Sequence, residues 1–474
     1  MHPLHKATLA VASFWLLAGT AAADTSRTIT AKAIWNCPAT ALFISTDPVI
    51  PALTVRTNED VTLNNCKFTS TTAPAVLIET TGTVTCNSCT ITSGRAPAIV
   101  VTTPPTAPST AVATLIVDKS RVSGKGVLID IHNVFPNGSR GGVNLSVKNS
   151  YLTGLNPNVS GQAQDRFISG TSPNALVISN NAISNTAGIY IDGLGAAMPG
   201  PLSITKNVVT NINSRLSNGA NGYQPLRAAL PVQFVQLGNL KSSHNQSMEI
   251  SWNQITNQPG QSSVEDNINI YQSQGTATLP LRITNNFIRG AYPPDMNSGF
   301  YTGGGINTDG PYHALSPHST AFVLIDGNHV VDTINYGISI SAGHHNQITN
   351  NRVIGINRLP SGNISPAANL GMSIWIATLF TTSLEHPVLT SEELAVNAAI
   401  TADFTNNTAA GNYVAWVRAD GQPNTYWFQT CGAPGACDVN TDGGVPALTA
   451  GNAELTLWNN KRTTAGVSIG PNWQ

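Results

Sequence analysis

Charge is scarce in this 474-residue chain: only 10% of residues are Asp, Glu, Lys or Arg, and the formal net charge is −1. Such a chain has no general pull on phosphate backbones or anionic lipid, which argues against nucleic-acid partners. Long apolar runs are missing too. No segment beyond the extreme N-terminus approaches the ~20 apolar residues of a membrane-spanning helix. Cysteine is sparse, six in all, and a chain of this length buries a core without a disulfide scaffold. There is one C-x-x-C, Cys86-Asn-Ser-Cys89, with no second pair at finger spacing, so a zinc module is not supported. Amphipathic helical patterns are few. What remains is 41% hydrophobic and otherwise rich in Gly, Asn, Ser and Thr, the mark of a mostly β chain with an amide and hydroxyl surface.

Residues 1–23 read as an export signal. His2, His5 and Lys6 precede a short apolar stretch, Leu9 to Leu17, and Ala21-Ala22-Ala23 forms a small-residue cleavage site before Asp24. The product is therefore expected to be secreted, extracellular or periplasmic, with 24–474 as a single domain. Cys431 and Cys437 bracket a Gly/Pro loop and are the pair best suited to a disulfide.

Residues 64–78 (NNCKFTSTTAPAVLI) recur at 87–101 (NSCTITSGRAPAIVV), an offset of 23 residues that marks a solenoid. A looser pattern, an apolar residue and three later Asn, Ser or Cys, runs through the chain. It includes Ile34/Cys37, Leu63/Cys66, Cys86/Cys89, Val117/Ser120, Val147/Ser150, Ile178/Asn181, Ile204/Asn207, Ile250/Asn253, Ile283/Asn286, Ile325/Asn328, Ile348/Asn351, Phe404/Asn407 and Leu457/Asn460. Coils stacked about 4.8 Å apart would line these residues up along one axis. Asn suits a bend between strands because it tolerates the left-handed conformation. The wide gaps, 207 to 253 and 351 to 407, call for insertions or a degraded rung. Cys37, Cys66 and Cys89 share the column, so neighbours either pair or stay reduced as small core residues. Thr390-Ser-Glu-Glu393 has capping-box spacing and predicts a short helix over 391–399.

The segments LVISNNAISNTAGIYIDG (176–193) and GISISAGHHNQITNNRVIG (337–355) resemble the repeats of the pectate-lyase-like superfamily. The resemblance covers about residues 34–460 and implies an all-β fold, a right-handed parallel β-helix with long loop insertions. It implies no one function, since that fold hosts lyases, hydrolases, epimerases, esterases and non-catalytic surface proteins.

A second ladder aligns Gly126-VLID, Gly188-IYID, Asn267-INIY, Gly305-INTD, Gly337-ISIS and Gly371-MSIW. It places Asp130, Asp192, Tyr271, Asp309, Ser341 and Trp375 in one register, with Tyr190, Asn269, Asn307, Ser339 and Ser373 on the same face by strand alternation. An outward strip of amides, hydroxyls, carboxylates and aromatics suits sugars; it also fits an ordinary polar exterior. Around Asp309, loops bring Asp295, Tyr292, Tyr301, Tyr312, His313 and His318, and one coil later come His344 and His345. Asn307-Thr-Asp-Gly310 and Gly343-His344 are similar to parts of the polygalacturonase family's motifs, but the Asp-Asp doublet is absent and GHG has become GHH, so that family's acid/base assignment does not transfer. Asp192 and Asp309 lie three coils apart, about 14 Å, beyond the roughly 5–9.5 Å of a hydrolase pair. A hydrolase would need a loop carboxylate such as Asp295. A lyase would use a His or Tyr base, with Asn307 or Arg352 steadying a substrate carboxylate.

The sequence thus points to an enzyme acting on a polysaccharide, a lyase or glycoside hydrolase, with Asp309, His344 and His313 catalytic and Tyr271, Asn307, Tyr301, Ser341, His345 and Trp375 binding substrate. A non-catalytic glycan-binding or structural β-helix protein is the competing reading, and a copper or anion site at His344-His345 a third. The partner would be a polysaccharide or cell-surface glycan, with no metal or other cofactor and a monomeric chain.

Overall fold

The computed structural model describes residues 25–95, 97–132, 142–154, 165–214, 232–243, 245–292, 297, 303–310, 319–376, 388–428, 437 and 441–473. The expected export signal, Asp295, Tyr301, Tyr312, His313, His318 and Cys431 all lie outside the described residues.

Among the described residues, short strands recur in rotation through three long parallel sheets, interrupted by one small parallel pair, Ala197–Met198 with Lys241–Ser242. Sheet A runs from Arg27–Ile29 to Tyr426–Phe428 with 13 strands, sheet B from Ala33–Asn36 to Thr408–Ala410 with 12, and sheet C from Phe43–Ser45 to Thr441–Gly444 with 13. This is a right-handed parallel β-helix. The 23-residue repeat is one coil: Asn64 pairs with Asn87, Phe68 with Ile91 and Val76 with Ile99. Alternation within each strand sends every second side chain inward, as in Val112–Asp118, where Ala113, Leu115 and Val117 are buried. These inward residues join those of the coils above and below into one apolar core that no single coil could close.

The corner between sheets B and C explains the Asn column. Asn181, Asn207, Asn253, Asn286, Asn328, Asn351 and Asn412 are buried. The Asn253 side chain donates to Ile204 O of one coil (2.8 Å) and to Asn286 Oδ1 of the next (2.9 Å), while its own Oδ1 accepts from the Asn207 backbone N–H (3.1 Å) and Nδ2 (2.9 Å). The amide is thus fully used along the axis. Left-handed conformation falls on the residue before it: Asn180, Lys206, Trp252, Asn285 and Asn350 have φ between 54° and 61°. The column is therefore selected for hydrogen bonding, and the bend is made by its neighbour.

The column departs from the expectation at its end. Asn351 passes its bond to Asn412, whereas Asn407 serves a different corner, donating to Gly343 O and accepting from Asn346 N–H. Leu457 and Asn460 are not a rung at all, because they lie in helix α2 (Ala450–Thr464). Apolar-x-x-Asn is equally compatible with a helical face. Both wide gaps hold insertions within a single coil: Leu202–Thr205 pairs directly with Met248–Ser251, and the second contains helix α1 (Ser391–Asp403). Thr390 and Glu393 cap α1 reciprocally as their spacing predicts, although the helix extends four residues beyond 399.

Helix α2 covers the outer face of sheet C. Trp458 is buried against Phe287 and Val331, and Glu454 receives Arg352 Nε and Nη2 at 2.6 and 3.1 Å and stands 2.6 Å from His329 Nδ1. Arg352, whose guanidinium also sits 4.4 Å over the Tyr413 ring, is thereby committed to this face. Past α2 the chain runs back along the solenoid, with Gly470 N–H donating to Lys206 O and Trp473 packed edge-on against Tyr151. Cys37 and Cys66 form a disulfide, Cα atoms 5.0 Å apart, while Cys86 and Cys89 are buried thiols.

Candidate functional site

The outer face of sheet A carries the second ladder. Asp192, Gly238, Tyr271 and Asp309 are register partners on four successive strands, which confirms the three-coil separation of Asp192 and Asp309. Asp130 belongs two positions away, in register with Ser169 and Tyr190. Two strands with no leading Gly, Ile168–Thr171 and Val235–Gly238, also belong to the sheet, and the repeat pattern did not reveal them.

This face is not an ordinary exterior. Asn269, Asn307, Ser339 and Ser373 occupy one outward column, yet their exposures are 4%, 8%, 2% and 2%. Two separate hydrogen-bonded groups hold them: Ser341 Oγ donates to Asn307 Oδ1 (3.1 Å), and Ser373 Oγ and Trp375 Nε1 both donate to Ser339 Oγ (2.9 and 3.1 Å). Ser341, Asn307 and Trp375 thus belong to one strip, with Tyr271 beside Asp309.

At the head of the strand Asp266–Tyr271 lies an acidic pair that sequence reading missed, Glu265 and Asp266. Asp266 is buried and its carboxylate accepts from Tyr336 Oη, from Asn269 Nδ2 (3.0 Å) and from Asn307. Burial raises its carboxyl to about 6 against the pull of these donors, and the Asp309 charge adds to the rise. Glu265 reaches solvent but is crowded by protein. Lost hydration, then the charges of Asp266 and Asp309, raise it to about 7, opposed by the 2.6 Å hydrogen bond from Gln233 Nε2 and by Arg166. Arg166 lies 5.2 Å over the Tyr190 ring. The same environment pushes the Tyr336 phenol up, first by burial and then by Asp266.

Two amide oxygens of this strip, Asn269 Oδ1 and Gln233 Oε1, are buried without a hydrogen-bond partner. Buried acceptors are normally satisfied, so these two are exceptions within the strip. The signal that would have exposed the pair in sequence is Glu265-Asp266 placed just ahead of an Asn-Ile-Asn-Ile strand. Short acidic doublets are common enough that only the register with Tyr336 distinguishes this one.

His344 and His345 stand at the corner after Ser341. Their Nδ1 atoms are 2.8 Å apart, His345 stacks on Phe322 at 4.9 Å, and His344 Nε2 is 3.9 Å from Asp403 Oδ1 of α1. Burial lowers the His344 pKa, with Asp403 opposing. Among the described residues no group of three or more His, Cys, Asp or Glu could hold a metal ion.

Comparison with protein-family models, curated proteins and solved structures returns no match.

Proposed function

We propose that this β-helix protein is an exported hydrolase of polysaccharide, with its site on the outer strip of sheet A at Glu265, Asp266 and Asp309. The parallel β-helix fold is seen in polysaccharide-acting proteins, and the Cys37–Cys66 disulfide suits an oxidising compartment. The observation that carries the reading is three carboxyl groups on paired strands of one strip, whose charges act on one another and two of which have raised pKa.

The chemistry follows from their environments. Glu265, protonated up to about pH 7 and open to solvent, donates its proton to the glycosidic oxygen as the bond to the anomeric carbon breaks. Asp309 takes a proton from the water that attacks that carbon. Asp266, fixed by Tyr336, Asn269 and Asn307, supplies the negative charge that keeps Glu265 protonated. Asp309 pairs with Tyr271, six residues beyond Glu265 on the neighbouring strand, so the two groups act from opposite ends of one strand pair, with the polymer lying between them. His344 and His345 in this reading fasten the α1 insertion rather than transfer protons.

The test is a panel of soluble polysaccharides assayed for reducing ends, with Glu265→Gln and Asp309→Asn as variants. Loss of about 10²–10⁴-fold in rate is expected for each. Wild-type rates in both variants, or absorbance of an unsaturated uronate as the product signal, would overturn it. Glycan binding without turnover by the wild type would favour the non-catalytic reading.

A further inference from the structure

Resting on that reading, we infer that Trp427 and Trp375 form a sugar-stacking shelf that binds neutral pyranose units of the polymer two to three coils from the reaction centre. The last strand of sheet A, Tyr426–Phe428, pairs with Leu370–Ile374, placing Trp427 opposite Ser373. Tyr426 and Phe428 fall opposite Met372 and Ile374, which face the core, and they stack on each other at 5.2 Å; Phe428 packs against the core, and Tyr426, 47% exposed, is engaged with Phe428. Trp427 has no such duty. It takes the outward column of Asn269, Asn307, Ser339 and Ser373, is 50% exposed, and lies 6.0 Å from Trp375 with the two indoles inclined by only 20°. Trp375 is itself fixed by its hydrogen bond to Ser339 Oγ, so the shelf is set before ligand arrives.

Position gives the ligand. Ser341 and then Trp375 follow Asp309 coil by coil, and Trp427 stands three coils past Asn307. At about 4.8 Å per coil, the shelf lies roughly 10–14 Å from Asp309, the span of two or three sugar rings laid along the solenoid axis. Indole faces stack on the C–H faces of pyranose rings, and the carboxylates of Asp266 and Asp309 in the same strip disfavour polyuronates.

The experiment is titration of the full chain carrying Asp309→Asn, which removes turnover, with hexasaccharides of β-1,4-linked glucose, mannose and xylose and with hexagalacturonate, followed by tryptophan fluorescence. The result expected is binding of at least one neutral hexasaccharide, weakened about tenfold or more by Trp427→Ala, with the corresponding trisaccharide bound weakly and insensitive to the substitution. Unchanged affinity in Trp427→Ala, or binding of hexagalacturonate alone, overturns the shelf even if Asp309 proves catalytic. Concentration-dependent dimerisation abolished by Trp427→Ala, with no sugar bound, overturns it in favour of a second copy as occupant. Conversely, full activity in Asp309→Asn with a Trp427-dependent affinity would sink the hydrolase site and leave the shelf standing.

Discussion

The phenol of Tyr336 reaches across Gly304 to donate its hydrogen bond to the carboxylate of Asp266, two coils away along the same column. Gly304 makes this reach possible. A Cβ there would lie 2.2 Å from Asp266 Oδ1 and 2.4 Å from Tyr336 Cζ. Tyr336→Phe removes a donor that lowers the Asp266 pKa, so the Asp266 carboxyl should titrate above its wild-type value of about 6. Carbon-13 NMR of the labelled carboxyl groups reads this directly, and an unmoved titration would contradict the bridge. Gly304→Ala should cost about tenfold or more in rate by forcing the same groups apart.

The Glu265 carboxyl at about 7 sets an alkaline limb on catalysis. Its protonated form is the active one, so kcat/KM should be full well below pH 7 and fall tenfold per pH unit above it. The residual rate of Glu265→Gln should lack this limb. A profile flat from pH 6 to 9 in the wild type would exclude Glu265 as the proton donor.

Asp266 also links stability to pH. Its folded pKa of about 6 lies above the ordinary 3.8, so folding favours the neutral form. Below about pH 4 it is protonated in both states and adds no penalty. As pH rises through 4 to 6 the ionised group destabilises the fold, by on the order of 2–3 kcal/mol at full ionisation. Asp266→Asn should therefore match the wild type near pH 3.5 and melt higher at pH 8. Parallel melting curves at both pH values would refute the assignment.

Truncating the ladder should be costly well away from the site. Asn253→Ala deprives Ile204 O, Asn207 and Asn286 of partners in a dry interior. A loss of roughly 3–5 kcal/mol is expected in urea unfolding. Loss below 1 kcal/mol would mean the coil closes without the amide.

Helix α2 is predicted to act as a strap. Trp458→Ala removes the indole buried against Phe287 and Val331 and its Nε1 bond to Asn285 O (2.8 Å). The expected cost is about 3–5 kcal/mol, together with faster amide exchange on the strands Phe287–Arg289 and His329–Val331. Exchange unchanged on those strands would show that α2 merely rests there.

The coil, its 23-residue unit, most of the Asn column and the capped helix α1 were legible in the residues alone, because stacking forces equivalent positions to repeat and each corner needs its own hydrogen bonds. Strand alternation also placed Tyr271, Asn307, Asp309, Ser341 and Trp375 along one outward strip. Folding alone brings Asp266 to Tyr336, lays α2 over sheet C, and extends the strip with Trp427 while Phe428 packs on the core. Those relations join residues from 52 (Trp375 and Trp427) to 171 (Phe287 and Trp458) positions apart, across insertions of irregular length. No periodicity records them; each is fixed by which coil happens to come to rest beside which.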